Sequence, residues 1–150
     1  MPFVVPESEE LMEKSFSVAQ YAKLVDIRTF EIHGKVLDVE AAAELQPVNN
    51  FDTTLGYGRG TDDSLVYRFS HEFTIKGQGD KDAVRIIVQL RALFDFPSEG
   101  RPGGDVDDDA LLAFGRTTVQ MAVYPYLRAS VSDIVARLGC DAVTLDLLML

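Results

Sequence analysis

The sequence is poor in the residues that most often carry chemistry: it has no tryptophan, one cysteine and two histidines. With Cys140 alone, an intramolecular disulfide is impossible and a Cys/His zinc cluster lacks its thiolates, a composition suited to a reducing cytoplasm. Positive charge is also scarce, since 14 Lys and Arg stand against 24 Asp and Glu, for a formal net charge of −10. Such a surface is a poor partner for nucleic acid and repels anionic lipid, while it attracts chains carrying excess positive charge. No window of about 18 uninterrupted apolar residues occurs, and the start MPFVVPESEELMEK has no basic segment leading into an apolar stretch. These absences predict a soluble, unexported, cytoplasmic protein.

The few reactive groups are badly placed for catalysis. His71 falls on the apolar face of a predicted strand and His33 on another strand with no nearby Cys or Ser, so both read as structural. Cys140 follows a helix-ending glycine without an oriented base, and no Gly-x-Ser-x-Gly elbow exists. The run Asp105, Asp107, Asp108 and Asp109 lacks the Gly and terminal Glu of a calcium loop and reads as helix capping. Gly56-Tyr57-Gly58-Arg59-Gly60 has spaced glycines but is followed by acidic residues and no helix, which makes it a turn rather than a phosphate cradle. No enzyme activity, metal or cofactor is expected.

What the chain does have is apolar patterning. At 150 residues and 47% hydrophobic it can bury one core, so residues 1–150 are expected to form a single domain. Ser8 as N-cap, glutamates in the first turn, and Leu11, Ser15, Val18, Ala19 and Ala22 at helical spacing predict a short amphipathic helix over 7–22. Residues 24–37 are rich in β-formers, with Gly34 hinting at a bulge. Pro47 and Asn49-Asn50 mark a connection, too long for a hairpin and so expected to cross over, with one helical turn at Ala41 to Leu45. Phe51, Thr53, Leu55 and Tyr57 share one face of a strand that the glycines at 56, 58 and 60 should end. Strict alternation through Leu65, Tyr67, Phe69, Phe73 and Ile75, then from Val84 to Phe96, predicts a long hairpin.

A Pro/Gly/Ser-rich stretch then leads to a long helix capped by Asp105, kinked at Pro125 and stopped at Gly139. After it, Ala142 to Leu150 is almost wholly apolar. The result is an α+β domain: a four-stranded antiparallel sheet packed with a long, Pro-kinked C-terminal helix, plus a short N-terminal helix. Its open sheet edges are expected to pair with another copy.

The helix segment Tyr124-Pro125-Tyr126-Leu127-Arg128, continuing through Asp133 to Arg137 and Gly139, resembles the signature of SecB and SecB-like chaperones. The likeness extends to Ala92-Leu93-Phe94-Asp95-Phe96 and, more loosely, to Val25-Asp26-Ile27-Arg28, covering about residues 24–148. It is nearest to the actinobacterial SecB-like proteins, some of which protect the antitoxin of a toxin–antitoxin system, whereas general SecB holds preproteins for SecA. The resemblance implies an ATP-independent holdase that binds unfolded polypeptide or an antitoxin segment in apolar grooves. It also implies a homotetramer built as a dimer of dimers, with Tyr124, Pro125, Tyr126, Arg128 and Asp133 in oligomer or structural roles. Carried onto this chain, the grooves are Leu45 to Tyr57 and Val143 to Leu150, and the client-binding residues are Phe51, Leu55, Tyr57, Val143, Leu145, Leu147 and Leu148. The family's Pro-containing link, Asn-Phe turn and second helix have no counterpart after Leu150, so client holding carries over more directly than delivery to SecA. Two other readings compete with a general holdase: a dedicated adaptor for one antitoxin, and a small-molecule-binding α+β domain.

Overall fold

A computed structural model describes residues 9–48, 52–60, 62–97 and 106–140. The described elements are helix α1 (Glu9–Ala19), strands β1 (Lys23–Val36), β2 (Asp52–Arg59), β3 (Ser64–Lys76) and β4 (Asp82–Asp95), and helices α2 (Asp108–Phe114) and α3 (Gln120–Arg137). The strands form one antiparallel sheet in the order β1-β4-β3-β2. The expected hairpin is the β3–β4 pair at its centre.

Alternation explains which face is buried. Leu65, Tyr67, Phe69, His71, Phe73 and Ile75 of β3, with Val84, Ile86, Val88, Leu90, Ala92 and Phe94 of β4, all point to the helical side. There they meet Leu111, Phe114, Val123, Leu127, Val131 and Val135, so sheet and long helix share one core. Burying each large apolar side chain contributes about 1.5–3 kcal/mol, which makes this layer the main source of stability. Tyr67 sits at its centre, edge-on to Phe94 and Phe114 at 6.0 and 5.8 Å, and its hydroxyl donates to the Leu111 carbonyl at 2.6 Å. That bond satisfies the one polar atom the ring carries inside.

The crossover runs from one sheet edge to the other, as its length implies. It is pinned to the end of the β3–β4 hairpin: Gln46 N–H donates to the Lys76 carbonyl at 2.8 Å and its side chain to the Gly77 carbonyl at 3.0 Å. A single 3-10 turn, Ala41–Ala43, packs Ala41 and Ala42 into the core. Gly77 makes the approach possible, because a Cβ there would stand 1.9 Å from the Ala41 carbonyl oxygen.

Three local expectations are corrected. The irregularities of β1 fall between Leu24 and Asp26 and between Thr29 and Glu31, making Val25 and Phe30 the extra residues, while Gly34 pairs in register with Ile86. Gly34 is small for another reason: a Cβ would lie 2.6 Å from Ile134 Cγ1 of α3. Strand β2 does not stop at Gly56; Gly56 pairs with Arg68 and Gly58 with Val66 on an open face, where a missing side chain leaves the ladder intact. The helix is capped by Asp107, whose extended backbone lets its carboxylate accept the Ala110 N–H at 2.8 Å, so α2 starts after the expected Asp105.

The long helix carries its irregularity upstream of the proline. A π turn, Gly115–Val119, separates α2 from α3, and α3 continues through Pro125. Inside that turn the Thr117 hydroxyl donates back to the Ala113 carbonyl at 2.8 Å, competing with the backbone for its i−4 acceptor. Pro125 lies on the exposed side, where water can take the carbonyl its ring leaves without a donor. The helix ends as expected, with Gly139 at φ +75° after Arg137.

Candidate client-binding surface

The expected groove residues divide between packed and undescribed. Leu55 and Tyr57 stand on the helical side of edge strand β2, opposite Phe69 and Tyr67, and both are half-buried against the core. The Tyr57 ring lies 5.9 Å from that of Tyr67, and its hydroxyl reaches the Asp108 carbonyl at 3.5 Å. Desolvation, reinforced by Asp108, pushes that hydroxyl's pKa up and keeps it a neutral donor. The two residues thus form one apolar wall where β2 meets the start of α2. In the crossover, Leu45 is half-buried and Val48 is buried, so this part of the expected groove belongs to the protein's own interior. Phe51, Val143, Leu145, Leu147 and Leu148 lie outside the described residues.

The signature residues of the long helix are also separated by depth. Tyr124 is buried in the core; Pro125, Tyr126 and Asp133 are exposed, and Arg128 is partly so. Asp133 accepts a hydrogen bond from Arg137 Nε at 3.0 Å, an i,i+4 pair on the outward face. Such exposed pairs stabilise a helix by about 0.3–0.5 kcal/mol, so Asp133 contributes little to the fold itself.

Sequence reading missed another set of apolar residues open to solvent. Phe30 is 60% exposed at the second bulge of β1, with Leu24, Val25 and Ile32 also exposed along the strand. On α1, Phe16 is 64% exposed and Met12 lies one turn before it. The i,i+4 spacing of Met12 and Phe16 was the available signal, since the core side of that helix is already filled by Ser15 and Val18. Strand β1 pairs only with β4, so its other backbone edge is unpaired within this sheet.

The buried polar groups are structural. His71 stacks on Phe69 at 5.8 Å and its Nδ1 lies 2.9 Å from Thr53 Oγ1. Burial lowers its pKa to about 4, so the ring is neutral at physiological pH. Among the described residues no three of His, Cys, Asp and Glu gather as a metal site. Half-buried Cys140 packs at the core margin. Among the described residues no helix is long and apolar enough to cross a membrane.

The four-stranded sheet backed by a long helix is the SecB-like fold, and the chain resembles the SecB-like chaperones in sequence as well. The SecB-like chaperone Rv1957 of Mycobacterium tuberculosis strain H37Rv is 27% identical over 154 aligned residues, covering 93% of this chain and 84% of that protein. MT2006, the SecB-like chaperone of strain CDC 1551, matches to the same extent. The structure of Rv1957 in complex with a ChAD peptide from the Rv1956 HigA1 antitoxin superposes with a TM-score of 0.79 at 26% identity, covering 92% of this chain and 98% of that one. No family model matches.

Proposed function

We propose that this protein is an ATP-independent chaperone that holds unfolded or aggregation-prone polypeptide, including an antitoxin-type segment, on apolar surface. The observation that carries the reading is the superposition, over nearly the full length of both chains, on a SecB-like chaperone solved with an antitoxin peptide. The physical argument is simple. Holding an extended chain needs no bond chemistry, and each Å² of client apolar surface buried contributes about 25 cal/mol before ordering costs. Leu55 and Tyr57 offer one wall for this, and Val143, Leu145, Leu147 and Leu148 supply further apolar side chains. The unpaired edge of β1 supports self-association into a dimer or a dimer of dimers, and Met121 and Tyr126 place apolar surface on the outer side of α3. Export delivery through SecA is a separate step that client holding does not require.

The test is suppression of light scattering by an aggregating, chemically unfolded client, without nucleotide. The wild-type protein is expected to suppress it near stoichiometric amounts. Leu145→Asp with Leu147→Asp should lose most of this while keeping the same mass by light scattering. Full suppression by that variant would remove these residues from the client surface; no suppression by the wild type would reject the holdase reading.

A further inference from the structure

The outer face of the sheet, away from the helices, carries a feature at odds with the protein's charge. In register across three adjacent strands stand Arg28, Arg91 and Arg68, directly opposite one another, and the row ends at Gly56 on β2. Like charges placed directly opposite in a sheet are destabilising, so a row of three guanidinium groups needs compensation. Arg28 finds it in Asp26, at 2.5 Å, and Arg91 lies over the Phe30 ring, 5.0 Å from its centroid. Arg68, the exposed member beside Gly56, makes no ion pair or hydrogen bond among the described residues.

Beside that arginine the surface is hollow. Gly56 and Gly58 have only open space where a side chain would stand, and two adjoining open hollows of about 430 and 440 Å³ meet at Gly56 and Arg68. Arg68 and Arg91 line the first, and Phe30 and Gln89 help line the second. Among the described residues no carboxylate lines either hollow, although the chain has 24 acidic residues against 14 basic. The Asp62 carboxylate, beside Gly60 at one end of the first hollow, accepts from the Ser64 hydroxyl at 2.6 Å, and two other acids of the sheet are paired, Asp26 with Arg28 and Glu72 with Arg85.

We propose that this trough is a second docking surface, separate from the client wall, and that it takes a short extended acidic segment of a partner protein. From Thr54 to Gly60 the strand spans about 20 Å at roughly 3.3 Å per residue, enough for some six extended residues. Carboxylates of the segment would pair with Arg68 and Arg91 through charge-assisted hydrogen bonds, and an apolar side chain would lie on Phe30. The openness of the hollows argues against a small anion, which would stay largely hydrated there. The net charge of −10 argues against nucleic acid, which needs many phosphates neutralised at once.

The test uses the full chain and a fluorescent octapeptide containing four glutamates and one phenylalanine, with the glutamine version as control, read by anisotropy at about 50 mM salt. The glutamate peptide is expected to bind at least about tenfold more tightly than the glutamine peptide, a preference that about 200 mM salt weakens. Arg68→Glu with Arg91→Glu should remove that preference while leaving suppression of client aggregation unchanged. Arg68→Gln, a milder change at an exposed position, should lower affinity in the same direction. A photoreactive group on the peptide should crosslink to β3 and β4. Equal binding of the two peptides, binding insensitive to both arginine variants, crosslinks confined to the helical side, or tighter binding of a uridine dodecamer would each overturn the proposal. The peptide-binding measurement involves no unfolded client, so it stands or falls independently of the holdase reading.

Discussion

Ser15 and Thr117, 102 residues apart in the chain, join N-terminal helix to long helix through a buried hydroxyl pair 2.7 Å apart. Thr117 spends its proton on the Ala113 carbonyl, which leaves Ser15 as the donor between them. The same threonine therefore shapes the π turn and holds α1 against it.

Thr117→Val keeps the shape of the side chain but removes both bonds and leaves the buried Ser15 hydroxyl only its longer contact with Thr118 Oγ1, at 3.4 Å. It is expected to cost about 2–3 kcal/mol in urea unfolding, and adding Ser15→Ala should recover part of that loss. Additive losses in the double variant would show that the two hydroxyls do not act together.

His71 gives the protein a predictable weakness in mild acid. Its pKa falls from 6.5 to about 4 on burial, so between these values the unfolded chain takes up a proton that the folded one refuses. Stability from this group is complete above about pH 6.5 and declines as pH falls toward 4, by about 3 kcal/mol in all. His71→Phe, which preserves stacking on Phe69, should flatten that part of the stability profile relative to wild type. An unchanged slope would mean that carboxylates alone set the acid response.

Gly34 fixes how closely β1 approaches α3. Gly34→Ala places a Cβ 2.6 Å from Ile134 Cγ1 and 3.1 Å from Leu138 Cδ1, an overpacking expected to cost about 1–3 kcal/mol. Ile134→Ala in the same chain vacates the space and should lower the penalty of the alanine, measured as a coupling in denaturant unfolding.

Much of the fold was legible because apolar residues alternate from Leu65 to Ile75 in β3 and again from Val84 to Phe94 in β4, which fixes strand identity, hairpin pairing and buried face together. The crossover was legible from its length and its Pro47. The bulges were not, because Val25 and Phe30 interrupt β1 without any glycine to mark them. The π turn was hidden as well: a threonine bonding back to its own helix looks like any other threonine until its buried partner Ser15 is placed. At the surface, sequence placed Leu55 and Tyr57 on one shared face of β2 but could not tell that Val48, a few residues earlier, is buried in the core. The arginine row escaped notice because Arg28, Arg68 and Arg91 become neighbours only through strand register.

Placing β1 and β2 on opposite margins of the sheet also dictates an order of events during synthesis. The first strand leaves the ribosome well before β4, the only strand it pairs with in this sheet, and the hairpin that anchors the crossover at Lys76 and Gly77 comes later still than the crossover itself. Closure of such distant pairings is slow compared with local hairpin formation. Until then Ile27 and Val36, which pack against the core in the finished fold, face water on an unzipped strand, so the newborn polypeptide passes through the same sticky condition that the proposed holding activity would relieve in others.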